Sequence, residues 1–320
     1  MAKIQYLNNE RLYFDGTFKI SPSIFYQIGI VRIKINETAS YLATAFVFMR
    51  NKTEESYKTV FNVIKNNIQR IAPLNSIYTP KYFHCDKEIA IINAAKSIYT
   101  GTNIQLCYFH YSDNIRNKLH SSQIIRLFER EENAKLLAYA IKAICFVPLN
   151  YIVGVFENLK TEIIDKNYNE LEDFISYFQE NWINWEEEKD WNYHESSIFI
   201  TNNPCESYNH HLNSIFHGKK PKFYYCLINL IKEFDEQKEI YFNKIKDVYS
   251  NISIFNNNYS YRFNIIRSFK DKEKNIVEKY ENIIVIEGDE DIDYEHNKDI
   301  EITNLWTDFC KGFAKFIMKD

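Results

Sequence analysis

The sequence predicts an α/β protein: a mixed five-stranded sheet with flanking helices and a large all-helical insertion. Residues 11–50 carry three runs rich in Ile, Val, Phe and Tyr, as strands do. Residues 53–107 alternate between helical and strand-like periods. From residue 111 to about residue 189 the pattern is almost wholly helical. Together these three observations favour a sheet-containing domain that is interrupted by helices.

The first fifty residues predict three strands joined by short links, for which a meander is the simplest pairing. The second run alternates apolar and charged residues, and the third is a continuous apolar run of the kind found in buried strands. The three predicted strands are Arg11–Phe18, Ile24–Ile35 and Tyr41–Met49.

The next segment predicts two helices and two further strands. Thr53 can cap the first helix, which reaches about Ile71 with apolar residues at helical spacing. The following elements are a strand over Lys81–Cys85 that ends at Asp86, a helix over Lys87–Ile98 and a strand over Asn103–Cys107.

The remaining pattern predicts helices near residues 111–119, 122–146, 149–160 and 168–183, then further helices after residue 204. We predict four parts from this organisation. They are residues 1–120 as the first part of a catalytic domain, 121–196 as a helical insertion, 197–250 as its completion, and 251–320 as a C-terminal extension with a flexible acidic segment.

The charge is uneven along the chain. The net charge is −4, and apolar residues make up 45% of the sequence, enough for a sizeable core. Residues 287–301 hold eight acids and one lysine, so the rest of the chain is faintly basic. That balance permits DNA binding without demanding it. No apolar stretch suits a membrane span, and we expect a soluble intracellular protein.

Three acidic residues stand in distinct settings. Asp15 interrupts the first predicted strand, Asp86 ends the fourth, and Glu206 opens a helix-like run. The order strand–strand–strand–helix–strand–helix–strand is that of the ribonuclease H-like fold. There the first strand is central, the fourth is parallel beside it, and a later helix brings a third acid over the same edge. Clustered carboxylates need cations, so we expect a metal site for two Mg²⁺ ions, or for Mn²⁺ in their place.

The motifs around these acids resemble those of the Mutator-like (MULE) transposases, which are of the DDE class. The resemblance spans roughly residues 10–217 and depends on six pieces in the right order. The pieces are Asp15-Gly-Thr-Phe; His84-Cys-Asp-Lys-Glu; Leu106-Cys-Tyr-Phe-His; Asn114-Ile-Arg-Asn; Phe146-Val-Pro-Leu; and Thr201-Asn-Asn-Pro-Cys-Glu-Ser-Tyr-Asn.

The resemblance implies a nuclear DNA transposase that cleaves transposon ends and joins them to target DNA, with a homodimer as a candidate assembly. Asp15, Asp86 and Glu206 would be its catalytic residues and would bind two metal ions. One ion would activate a water or a DNA 3′-hydroxyl, and the other would stabilise the leaving oxygen. Family members usually carry a zinc-containing DNA-binding module. Only 14 residues precede Asp15, so we expect that module to be absent or on another chain.

Each acid also has a simpler interpretation. Asp15-Gly16 could be a turn, Asp86 could be the N-cap of the helix that follows it, and Glu206 could be a surface acid favoured by a helix dipole.

Cys107 and His110 have the spacing of transition-metal ligands, with Cys205, His210 or His211 as candidate partners. Two ligands do not make a structural zinc site, so zinc is possible but not expected. A buried Cys and a hydrogen-bonded His are the alternative.

Several basic and aromatic residues near the motifs could contact DNA. The basic residues Arg116, Lys118, Lys219, Lys220 and Lys222 could grip phosphates, or be merely solvated. A role in the core is favoured over base stacking for the aromatic residues Trp182, Trp185 and Trp191.

Two other functions compete with transposition. One is a domesticated or decayed copy that binds DNA or protein without cutting. The other is a different ribonuclease H-like nuclease that cleaves without joining.

Overall fold

The computed structural model describes residues 10–34, 41–70, 78–185, 187–195, 203–217, 220–248, 257–281 and 294–318. The chain divides into two compact units. The sheet unit comprises residues 1–110 and 201–254, and the helical unit comprises residues 111–200 and 255–320. The C-terminal extension and the insertion thus fall in one unit, and the four-part division stays a prediction.

The sheet unit is built on a mixed five-stranded sheet of order β3-β2-β1-β4-β5. β1 is the central strand, antiparallel to β2 and parallel to β4, as the sequence predicted. β2 and β3 are antiparallel, and β4 and β5 are parallel. The strands are β1 Arg11–Thr17, β2 Gln27–Lys34, β3 Tyr41–Met49, β4 Tyr82–Cys85 and β5 Asn103–Leu106.

Helices cover both faces of this sheet. Phe14 packs edge-on against Tyr57 and Phe61 of helix α1 on one face. A second cluster on the other face joins β2 residues such as Ile30 to helices α8 and α9. The helices of the sheet unit are α1 Glu54–Gln69, α2 Ile89–Ile98, α8 Asn203–Ile215 and α9 Phe223–Val248, and α3 Tyr108–Leu119 begins in it.

Local sequence signals explain where some elements begin. The side chain of Thr53 accepts a hydrogen bond from the backbone N–H of Ser56, so it caps α1 as predicted. The helix after β4 begins at Ile89 with Glu88 as its N-cap, so the interpretation of Asp86 as that cap is wrong. Asp15 and Gly16 lie inside β1, so the turn interpretation is also wrong.

The helical unit has a core of packed aromatic rings. Tyr111 stacks on Trp191 with ring centroids 5.9 Å apart and meets Trp182 edge-on at 4.7 Å. Trp182 and Trp191 are fully buried, which supports the core role for both. The helices of this unit are α4 Ser122–Arg130, α5 Glu132–Ala143, α6 Ile152–Asp165, α7 Glu172–Phe178, α10 Asn257–Glu281 and α11 Tyr294–Ile317.

Two predictions for this unit need correction. The helix predicted over 122–146 is broken at Glu131, whose φ of −132° and ψ of 89° are not helical. The acidic segment predicted to be flexible is helical from Tyr294 onward, because buried residues such as Ile302 and Trp306 anchor α11. Residues 287–293 lie outside the described residues.

Within the described ranges, every helix is too short or too polar to cross a bilayer.

Candidate metal centre

The register of β1 and β4 brings two predicted site residues to one edge of the sheet. Tyr13 pairs with His84 across these parallel strands, and their rings stack 4.3 Å apart. Asp15 lies two residues further along β1, and Asp86 lies two residues after His84, one position past the end of β4. Since side chains alternate between faces with a period of two, Asp15 projects on the face that carries Tyr13. The charge of Asp86 acts on Asp15 at this edge.

Asp15 is almost completely buried and is held by two hydrogen bonds. Its side chain is 3% exposed. The backbone N–H of Gly16 donates to Oδ1 at 2.9 Å, and Nδ2 of Asn209 on α8 donates to Oδ2 at 2.5 Å. These bonds fix the orientation of the carboxylate on the sheet.

The surroundings of Asp15 disfavour the charged form of its side chain. Burial, followed by the charge of Asp86, raises the pKa of Asp15 to about 6 from an ordinary value of 3.8. His110 and the hydrogen bond from Asn209 act in the opposite direction. A nearby cation would remove both the desolvation cost and the repulsion between the two carboxylates.

The glycine after Asp15 leaves room for a neighbouring side chain. A Cβ at Gly16 would come within 2.6 Å of Oε1 of Gln27. The amide of Gln27 in turn donates to the hydroxyl of Tyr57 at 2.8 Å. A side chain at position 16 would therefore displace the Gln27 amide and disturb its hydrogen bond to Tyr57.

Asp86 forms a second group with Cys107 and His110. One ligand atom of each residue lies within 4.8 Å of the other two, and this is the group of potential metal ligands found among the described residues. Nδ1 of His110 is paired directly with Oδ1 of Asp86. Cys107 is 2% exposed, whereas the side chains of Asp86 and His110 are 33% and 34% exposed.

The ionisation of His110 follows from these partners. Burial lowers its pKa, but hydrogen bonds to Asp86 and Cys107 outweigh burial and raise the pKa of His110 to about 11. Burial raises the pKa of the Cys107 thiol. In the absence of a metal ion, the imidazolium is thus the cation that balances Asp86.

The third predicted acid, Glu206, lies in the first turn of α8, and its side chain is outside the described part of the chain. Asn209, which contacts Asp15, follows it by three positions on the same helix. The backbone of α8 therefore passes over the edge where Asp15 lies.

The remaining predicted residues are the candidate metal ligands beside Cys107 and His110 and the candidate DNA contacts. His211 pairs with Glu233 at 2.9 Å, and His210 is exposed. Arg116 pairs with Asp113, and Nζ of Lys118 lies 4.5 Å from the ring centre of Tyr177. Four predicted residues remain. Lys220 and Lys222 are exposed, whereas Lys219 and the side chain of Cys205 lie outside the described residues.

Two contacts of the site were not predicted from the sequence. One is the hydrogen bond from Asn209 to Asp15. The other is the pairing of His110 with Asp86. The sequence signal that could have indicated this pairing is a parallel arrangement of the fourth and fifth strands, because it places the residues after β4 and β5 side by side.

A comparison with protein families finds that the first part of the sheet unit is similar to a transposase domain. Residues 11–114 match the family described as the MULE transposase domain. The match confirms the resemblance over the motifs at Asp15, at Asp86 and from Leu106 to His110, and it indicates a transposase-related function. It includes Asp15, Asp86, Cys107 and His110, and it ends before Glu206. No curated protein matches the chain.

Proposed function

We propose that this protein is a DDE-type DNA transposase with a ribonuclease H-like catalytic domain, which cleaves transposon ends and transfers the strands to target DNA. The observation that carries the proposal is the parallel register of β1 and β4, which pairs Tyr13 with His84 and so brings Asp15 and Asp86, 71 positions apart in the sequence, to one edge of the sheet. The strand order 3-2-1-4-5, with the central strand bearing the first aspartate, supports the ribonuclease H-like assignment.

Glu206 is the proposed third acid. It is on α8 three positions before Asn209, which donates to Asp15. The proposal for Glu206 therefore depends on its position in the chain beside Asn209 and on the motif resemblance.

The chemistry of these residues fits a pair of divalent cations. Carboxylate oxygens are the ligands that Mg²⁺ and Mn²⁺ prefer, and Asp15 is buried beside a second carboxylate. Asp15, Asp86 and Glu206 would hold the ions. When bound, such ions activate the attacking oxygen and stabilise the leaving oxygen of an in-line displacement. The protein's own part is to orient Asp15, through Gly16 and Asn209, and to shield it from water.

DNA in the nucleus is the proposed substrate. The basic residues Arg116, Lys118, Lys219, Lys220 and Lys222 remain proposed phosphate contacts, and a homodimer remains a proposed assembly.

The experiment uses the purified chain, Mn²⁺ and labelled DNA taken from the flanks of its reading frame. We expect nicked products and joined products, both abolished by Asp15→Asn. Glu55→Gln is the matched control, because Glu55 is an acid with 84% side-chain exposure in the first turn of α1.

Each alternative outcome has a distinct meaning. Cutting that survives Asp15→Asn would contradict the proposed catalytic role. Cleavage without joined products would indicate a nuclease, and DNA binding without cutting would indicate a copy that has lost catalysis.

A further inference from the structure

The sheet edge carries a second set of ligands with a different chemical character. The backbone N–H of Cys107 donates to the carbonyl of Cys85 at 2.9 Å, which continues the β4–β5 ladder by one position. Cys107 therefore stands next to Asp86. His110 lies in the first turn of α3, three residues after Cys107, and its ring reaches back to Asp86.

We propose that Asp86, Cys107 and His110 form a binding site for a transition-metal dication of the zinc type, which shares only Asp86 with the carboxylate site that contains Asp15. Their sulfur, nitrogen and oxygen ligand atoms lie within 4.8 Å of one another. Zinc accepts this combination of thiolate, imidazole and carboxylate, whereas Mg²⁺ selects oxygen ligands alone. The third ligand is Asp86, and His211, one of the candidates considered from the sequence, is instead paired with Glu233.

The burial of the three residues suits such a site. The thiol of Cys107 is shielded from water, while Asp86 and His110 are each about one-third exposed. An ion can thus enter from solvent past Asp86 and His110. Cys107 binds as a thiolate and His110 through a neutral ring nitrogen, so both release a proton to solvent on binding. Three protein ligands leave one tetrahedral position for water.

Sharing Asp86 has a consequence for the proposed DNA cutting. An ion held by Cys107 and His110 draws on the same carboxylate that the Mg²⁺ site requires. Zinc-type ions should therefore compete with Mg²⁺ at Asp86. This consequence depends on the proposed function, whereas metal binding by the three residues does not.

Cobalt titration of the metal-free protein, without DNA, tests the site. Co²⁺ prefers the same ligands as zinc and reports a bound thiolate by a charge-transfer band in the near ultraviolet. We expect this band, and its displacement by Zn²⁺. Cys107→Ser should abolish the band, and His110→Asn should weaken Co²⁺ binding at least about tenfold.

Two controls separate this site from the rest of the molecule. Cys226→Ala removes a buried cysteine that contacts Ile20 elsewhere in the sheet unit, and it should leave the band unchanged. Asp15→Asn should also keep the band, so failure of the proposed DNA cutting would not affect this test.

Several results would overturn the proposal. One is the absence of a thiolate band from the wild-type protein, and another is a band that persists in Cys107→Ser. A third is Co²⁺ binding that is lost in Asp15→Asn and kept in Cys107→Ser, which would assign the ion to the carboxylates alone. If circular dichroism shows that Cys107→Ser does not fold, the His110→Asn titration decides, and unchanged affinity there contradicts the site.

Discussion

A cluster around Asn192 in the helical unit and the carboxylate of Asp15 in the sheet unit are buried in opposite ways. In the helical unit, Nδ2 of Asn192 donates to the carbonyl of Val147 at 2.7 Å, and its Oδ1 accepts from the backbone of His194 at 3.1 Å. Nδ1 of His194 contacts the carbonyl of Phe146 at 2.9 Å. In the sheet unit, Asp15 is buried beside a second carboxylate that raises its pKa.

The hydrogen-bonded groups around Asn192 stabilise the fold, whereas the buried carboxylate of Asp15 destabilises it. Neutral groups joined by hydrogen bonds stabilise a buried segment. A buried carboxylate beside another one reduces stability and is typical of a functional site. Disrupting each cluster should therefore have opposite effects on activity and on stability.

The largest expected effect is the loss of activity in Asp86→Asn. Metal stabilisation of the transition state contributes several kcal/mol, so we expect Mn²⁺-dependent nicking to fall about 1,000-fold or more. Gel assays of nicking rate measure this. Asn192→Ala is the control, and its folded fraction should nick at the wild-type rate. Asp86→Asn activity within about tenfold of wild type would contradict the account.

The largest expected effect on stability lies in the helical unit. Trp191 is fully buried against Tyr111 and Trp182, so Trp191→Ala should lower the free energy of unfolding by about 3–5 kcal/mol. Urea unfolding followed by circular dichroism measures the loss. Tyr224→Ala, at a position 77% exposed, should change it by less than about 0.5 kcal/mol. Equal losses in the two variants would show that burial does not explain the effect.

The pH dependence of the free energy of unfolding should show that the charged form of Asp15 destabilises the fold. Its pKa is about 6 in the folded protein and 3.8 ordinarily, so the folded state binds more protons than the unfolded state between these values. Stability from this group is therefore lost as pH rises from about 4 to 6. Without divalent metal, the stability of Asp15→Asn relative to wild type should grow over that window, by up to about 3 kcal/mol.

Urea unfolding in a chelating buffer at pH 4 and at pH 7 measures this difference. A stability gap between the two proteins that stays constant with pH, or narrows as pH rises, would show that Asp15 is not a strained carboxylate.

A smaller effect is expected at Asn209. Its hydrogen bond lowers the pKa of Asp15, so Asn209→Ala should raise that pKa and weaken Mn²⁺ binding about tenfold. Calorimetry at neutral pH measures the affinity. Asn229→Ala is the matched control, since that amide only donates to the carbonyl of Tyr225 within α9. If both variants bind Mn²⁺ equally, Asn209 has no role in orienting Asp15.

Local signals were sufficient to predict most of the sheet unit. β3 has the predicted bounds Tyr41–Met49, and Thr53 caps α1, because alternation and capping depend only on neighbouring residues. The central position of β1 and its parallel pairing with β4 also matched the prediction. The meander of the first three strands could be inferred because short links allow few topologies. The positions of β1 and β4 were inferred from the order of the elements, which is that of the ribonuclease H-like fold.

The contacts of the site could not be predicted in the same way. The pairing of His110 with Asp86 and the hydrogen bond from Asn209 to Asp15 depend on strand register and on how α8 lies on the sheet. The start of α11 at Tyr294, within the acidic segment, was missed for a related reason. Its acidic start favours flexibility locally, and its stability comes from buried residues such as Trp306 further along.

The central claim is that three acids far apart in the sequence bind the same divalent metals. Calorimetric titration of Mn²⁺ into wild-type protein and Glu206→Gln tests it most directly, because Glu206 is the acid whose approach is inferred from the register of α8. We predict at least a tenfold loss of affinity in Glu206→Gln, with its circular dichroism unchanged. Equal affinity in the two proteins would contradict the claim.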